Sequence, residues 1–201
     1  MYDLKTIPLF PLQSVLFPGG RLKLRIFEPR YLTMISNCMR ENKGFGVCAI
    51  RSGRETGDPA NCFDVGTFAR VVDFDKNEDG MLTITIVGGK RFKIADTETL
   101  PDRLLLGRVS WLPDIPVVPL LPEYQSLASL LKQVLRQTEM QYPPDEQKFR
   151  EMDWVVSRLV ELLPFALSDK QRVLETDLPD TRLRILYDEL LSEVLEKSEI
   201  S

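Results

Sequence analysis

From Arg21 to Ile26 the chain alternates strictly, basic then apolar, in the run RLKLRI. A period of two predicts a half-buried strand with one wet face, here spanning 21–27. Residues 6–10 predict an earlier strand. Between them Phe17-Pro18-Gly19-Gly20 predicts a tight reversal, because Pro18 pre-sets its own φ and either glycine can take φ > 0. After the second strand the period lengthens to that of a helix, which opens at Glu28-Pro29-Arg30-Tyr31. Pro29 loses no intrahelical bond in the first turn, and Glu28 suits the positive end of the dipole. Tyr31, Leu32, Ile35 and Met39 are predicted to form its apolar face. Asn42-Lys43-Gly44 predicts its end, with Gly44 as the left-handed residue.

Beyond that helix the pattern is extended again. The apolar run 45–50 predicts a buried strand, and 51–61, rich in Gly, Ser, Asp and Pro, an exposed loop. Residues 63–74 and 81–87 alternate around a polar connection, 75–80, that ends in Asp-Gly and predicts a hairpin. Gly88-Gly89 predicts a bend or bulge before the alternation resumes at 91–94. A last strand is predicted at 104–111. Pro113, Pro116, Pro119 and Pro122 then interrupt any regular element, so a linker is expected at 113–122, between a β-rich subdomain 1–112 and a helical subdomain 123–201. Four helical faces follow: Leu127, Leu131, Val134 and Leu135; then Met152, Val155, Val156, Leu159, Val160 and Leu163; then a short helix opened by Ser168-Asp169-Lys170-Gln171 in the form of a capping box. The fourth is opened by Asp177 and Pro179, with Leu183, Leu186, Leu190 and Val194 on one side. Strands followed by helices give an α+β class: a small mixed barrel with one helix packed on it, then a bundle.

Composition narrows the chemistry. The 201 residues are enough for one large or two small domains burying roughly 70% of the unfolded surface. A formal net charge of −4 argues against a nucleic-acid partner. No apolar run is long enough to span a bilayer, so no membrane partner is expected. Asp3 stands where a signal peptide wants positive charge, and Pro8 and Pro11 interrupt the apolar stretch after it, so a cytoplasmic location is expected. Cys38, Cys48 and Cys62 contain no C-x-x-C pair and read as small buried hydrophobes rather than a disulfide framework. The absence of histidine rules out Ser-His-Asp and Cys-His arrangements and any zinc site using imidazole. Gly88-Gly89-Lys90-Arg91 fails the phosphate-loop pattern, since Ile84 stands at the first glycine and no Ser or Thr follows the lysine. No catalytic residue, metal or cofactor is called for, and a non-enzymatic protein is expected.

Two surfaces invite a binding role. Lys23, Arg25, Arg91 and Lys93 would form a basic stripe if their strands lay side by side, although the acidic balance favours ordinary wet strand faces. The second is a rim made by the glycine turn and the helix head: Phe17, Pro18, Glu28, Arg30 and Tyr31. There Phe17 would give apolar contact and Arg30 would donate to a backbone carbonyl or an acidic side chain. The competing reading has Phe17 and Tyr31 plugging the barrel end and Glu28 with Arg30 as a local ion pair at the corner.

The run PLFPLQSVLFPGG, followed by RIFEPRY, resembles the N-terminal, substrate-binding domain of the ATP-dependent Lon proteases. Phe45-Gly46-Val47, Val65-Gly66-Thr67-Phe68-Ala69-Arg70-Val71, Gly89-Lys90-Arg91-Phe92 and Val109-Ser110-Trp111-Leu112-Pro113 continue it in order. So do Trp154-Val155-Val156, Glu161-Leu162-Leu163-Pro164 and Lys170-Gln171, and the resemblance covers nearly the whole chain. It implies a PUA-like mixed β pseudo-barrel with one packed helix, followed by a C-terminal α-helical bundle. It also implies a non-catalytic module that binds unfolded or partly folded polypeptides as an adaptor or regulator, with a protease or chaperone as working partner. In the full protease an ATPase and a Ser–Lys protease module follow; here a stand-alone module without them is expected. The alternative is a PUA-like small-molecule or RNA-binding protein. A deep pocket with convergent polar groups would favour that alternative, and a shallow apolar surface the polypeptide reading.

Overall fold

Among the residues described by the computed structural model (4–76, 81–138, 142 and 145–199), five strands close a ring and a sixth hangs from it. β1 (Lys5–Leu12), β2 (Arg21–Ile26), α1 (Pro29–Arg40), β3 (Phe45–Ser52), β4 (Asn61–Lys76), β5 (Leu82–Thr99) and β6 (Leu105–Trp111) follow in chain order. They belong to the first of two compact units, Met1–Asp114 and Ile115–Ser201. The ring runs β5-β4-β3-β1-β6 and back to β5, with β1 parallel to β3 and antiparallel to β6. β5 is shared along its length: residues 82–87 pair with β2, and residues 92–99 with β6. The expected bend at Gly88-Gly89 is a register irregularity against β4, opposite Thr67 to Ala69.

Both faces of β1 are buried, which explains its near-continuous apolar sequence. Ile7 and Leu9 join Cys48, Phe92 and Val109 in one cluster; Phe10 and Leu12 join Ile26, Phe45, Ile84 and Ile86 in another. α1 covers that second cluster with Tyr31, Met34, Ile35 and Cys38. The predicted helix face was therefore half right. Leu32 and Met39 are exposed, because Met34 and Cys38 complete the i, i+3, i+4, i+7 stripe that starts at Tyr31. The helix end differs too: Asn42 takes the positive φ of 50°, not Gly44. Gly44 is needed for space, since a Cβ there would run into the Ala69 carbonyl oxygen and lie 2.6 Å from the Phe68 ring.

The predicted 51–61 loop is shorter at both ends, because β3 continues to Ser52 and β4 starts at Asn61. Residues 77–80 of the predicted hairpin connection lie outside the described residues. All three cysteines are buried and unpaired to one another by any disulfide.

The second unit holds α2 (Gln125–Gln137), α3 (Met152–Leu162), α4 (Leu167–Glu175) and α5 (Pro179–Glu199). Part of the proline-rich segment belongs to it: the Leu120 amide donates to the Arg150 carbonyl (2.7 Å) and the Met152 amide to the Val118 carbonyl (3.0 Å). α3 is central, packing on α2, α4 and α5, and its Val155, Val156 and Leu159 are fully buried. The predicted capping box at Ser168 does not form. α4 starts two residues earlier, after Ala166, and Gln171 is buried and donates to Glu175 (2.8 Å). Two arginines that pattern reading passed over, Arg158 and Arg182, are 0% exposed. Arg158 pairs with Glu161 (2.7 Å), and Arg182 pairs with Asp153 (3.1 Å) while donating to the Ser157 hydroxyl (2.9 Å).

Candidate functional site

Strict alternation in β2 sends Leu22, Leu24 and Ile26 toward the second apolar cluster and leaves Lys23 and Arg25 exposed. Because Ile26 takes the last inward place, the next residue, Phe27, must face out, and its ring is 58% exposed. A groove of about 310 Å³ lies beside this strand. β2 supplies Lys23, Leu24, Arg25 and Ile26 along it, followed by Phe27. Phe10 and Leu12 of β1, Glu28 and Tyr31 at the head of α1, and Glu55 and Thr56 of the β3–β4 loop line the rest. Phe10 and Tyr31 stack with ring centroids 4.1 Å apart and planes 19° from parallel, a rigid apolar surface. The Glu55 carboxylate accepts from the Gln13 amide, tying the loop to the end of β1.

The five residues picked as a rim are not all on one surface. Glu28 and Tyr31 line the groove. Arg30 is buried and fixes the corner: it pairs with Glu28 (2.8 Å), donates to the Arg103 carbonyl (2.9 Å) and lies 4.7 Å from the Tyr31 ring centroid. Burial, together with the nearby Glu28 carboxylate and partly offset by Arg30, pushes the Tyr31 hydroxyl up to about 12. Phe17 is 0% exposed and Pro18 half-buried. The turn that carries them is locked onto β5. Gly19, at φ 72°, donates to the Gly88 carbonyl (2.8 Å), Gly20 to Phe17 (2.9 Å), and Gly88 to Gly20 (2.9 Å). A side chain at Gly88 would run into the Phe17 carbonyl oxygen and come within 3.1 Å of Leu16 Cγ. In this arrangement the Phe17 ring is core, and the exposed ring beside the groove is Phe27. The sequence signal for Phe27 was the extra apolar residue after the alternation ends.

The basic stripe does not assemble. Lys23 and Arg25 stand opposite Thr85 and Thr83, whereas Arg91 and Lys93 lie farther along β5, between β4 and β6. Arg91 is buried and donates to the Pro113 carbonyl (3.0 Å). On that side of the ring Trp111 and Phe68 meet edge to face at 5.4 Å, with Arg70, Gly89 and Lys90 around them in an open cup. Among the described residues no three His, Cys, Asp or Glu side chains are grouped to hold a metal, and no helix is long and apolar enough to cross a membrane. The groove offers shape, apolar surface and charge.

Residues 6–192 match the family model of the ATP-dependent protease La (LON) substrate-binding domain. The crystal structure of a Lon N-terminal domain protein from Xanthomonas campestris is similar at a TM-score of 0.74 and 34% identity, covering 94% of this chain and 98% of that one. The N-terminal domain of a Lon protease of the Mycobacterium avium complex shares the fold, with a TM-score of 0.62 and 17% identity over 92% of this chain and 97% of the other. A Lon protease of Parabacteroides distasonis is 28% identical over 193 residues, which are 90% of this chain and 23% of that protein. The chain thus spans about a quarter of the length of the curated Lon proteases it matches.

Proposed function

This chain belongs to the family of the LON substrate-binding domain, and from that premise we propose that it binds unfolded or partly exposed polypeptide segments in the groove between β2 and the head of α1. One observation carries this reading: Phe27 stands exposed beside a half-open apolar surface built on the stacked Phe10–Tyr31 pair. An exposed aromatic over a shallow apolar groove with a charged rim fits an extended chain better than a small rigid ligand. Glu28 and Tyr31 act here directly. Arg30 acts by holding both in place, and Phe17 and Pro18 by fixing the strand that leads to them.

The role is adaptor or regulator. The module supplies capture, and any unfolding or cleavage is the work of a protease or chaperone partner. The test is affinity for a permanently unfolded, carboxymethylated protein. Phe27→Ser should weaken binding about tenfold, the loss of roughly half a buried aromatic contact, with the melting temperature unchanged. A folded Phe27→Ser variant that binds with unaltered affinity would overturn the assignment. A second reading, a PUA-like small-molecule or RNA-binding protein, draws on the Trp111–Phe68 cup and its flanking Arg70 and Lys90, since exposed aromatics between cations suit stacked bases.

A further inference from the structure

We propose that the groove takes its polypeptide as an added strand along the outer edge of β2, and that it prefers segments alternating acidic with apolar residues. The proposal rests on the polypeptide-binding reading above and specifies its mode and its client. β2 pairs with β5 on one side, and among the described residues no strand pairs with its other side, so it is the edge of the sheet. The groove lies along that edge, with Phe10 and Leu12 of β1 on its far side. β1 is bonded to β6 only through Lys5–Leu9, so the ring itself parts where the groove begins.

The register sets which backbone groups face the groove. Gly88 donates to the Gly20 carbonyl, which makes 20 and 88 a hydrogen-bonded pair. In an antiparallel ladder such pairs alternate, so residues 22, 24 and 26 turn their amides and carbonyls toward β5 and residue 23 turns its own outward. An incoming strand would bond to the Lys23 amide and carbonyl, as in strand addition to other exposed sheet edges. Its side chains would then divide by face. Those beside Leu24 point inward, over Phe10 and Tyr31, and need to be apolar. Those beside Lys23 and Arg25 share the wet face with two cations and are best acidic. The same alternation that predicted β2 from sequence thus specifies its partner as the complementary pattern.

The probe is a fluorescent peptide of about eight residues, within the usual strand length, alternating glutamate with valine or isoleucine. Against the full chain it should bind at least about tenfold tighter than a shuffled peptide of the same composition, and its affinity should fall as salt rises. N-methylation along the peptide should weaken binding at every second position and leave the positions between nearly unchanged. Lys23→Glu sets a carboxylate against Arg25 on the wet face and should abolish the preference for the glutamate peptide over a lysine–valine one. Lys23→Pro removes only an outward amide, which an edge strand tolerates, and should cost about tenfold in affinity. If Lys23→Pro fails to fold, the N-methyl series decides alone, because it leaves the protein untouched. Equal binding of the shuffled peptide, or a methylation profile without period two, would overturn strand addition. The carboxymethylated protein separates the two proposals. If it still binds through Phe27 while the peptide signatures fail, capture stands and only the mode is wrong; if it does not bind, the proposed function itself fails.

Discussion

Phe17 and Phe27 lie ten positions apart and should respond oppositely to truncation. Phe17 is fully enclosed, and its own carbonyl is engaged by the Gly20 amide in the turn that seats on Gly88. Replacing it with alanine removes a whole buried ring and leaves a cavity that a turn held by three backbone hydrogen bonds has little freedom to close. The expected loss is about 3–5 kcal/mol. Against a typical total of about 5–15 kcal/mol this is roughly a fifth or more of the stability, and it should lower the melting temperature on the order of 10 °C. Phe27→Ala, at a largely exposed ring, should stay within about 0.5 kcal/mol. Urea unfolding followed by near-ultraviolet circular dichroism measures both, with an unchanged m-value certifying that only stability moved. A Phe17→Ala midpoint within about 1 kcal/mol of the parent would refute the assignment of this ring to the core.

Gly88→Ala should cost about 1–3 kcal/mol by overpacking, because the new methyl meets the Phe17 carbonyl and Leu16, and the same denaturation series checks it. Tyr31 holds its proton to about 12 when folded and releases it near 10 when unfolded. Its share of stability is therefore intact below pH 10 and is lost as pH rises from there through 12. Tyr31→Phe should flatten that alkaline decline and remove the latest phenolate from an absorbance titration. In the helical unit, Arg182→Leu should destabilise by about 3–5 kcal/mol by stranding Asp153, while the double change with Asp153→Leu recovers most of the loss. A double variant no better than the single one would show that the pair is not the coupled unit.

Sequence pattern gave the strands almost completely because period two is a direct record of one wet and one dry face. It failed where a second neighbour buries the supposedly free side. Met34 and Cys38 replaced Leu32 and Met39 because the stripe of α1 that meets the cluster is set by tertiary packing, which no local window contains. Arg158 and Arg182 were invisible for a related reason. An arginine reads as solvent-facing until Glu161, Asp153 and Ser157 are seen to converge on it, and those meetings are set by helix packing. Glu28 and Tyr31, chosen from the helix start, line the groove, and Arg30 sits at the corner as the competing ion-pair reading had it. Phe17 follows the competing reading of a ring that plugs the barrel, because the proline-glycine turn folds back onto Gly88. Phe27 was in plain view but lost its meaning inside a strand predicted to include it.

The pairing of β1 with β6 sets a timetable for synthesis. Lys5 bonds opposite Val109, about a hundred residues later. At a translation rate of about 5–20 residues per second, the first strand waits roughly 5–20 s before its closing neighbour leaves the ribosome. β4 and β5 pair across a short connection and can form at once, whereas Ile7 and Leu9 lack the Leu105 and Val109 side of their cluster until the ring shuts. During that interval the nascent chain displays an incompletely covered apolar strand, so the yield of folded chain depends on keeping that strand from other nascent chains until β6 arrives.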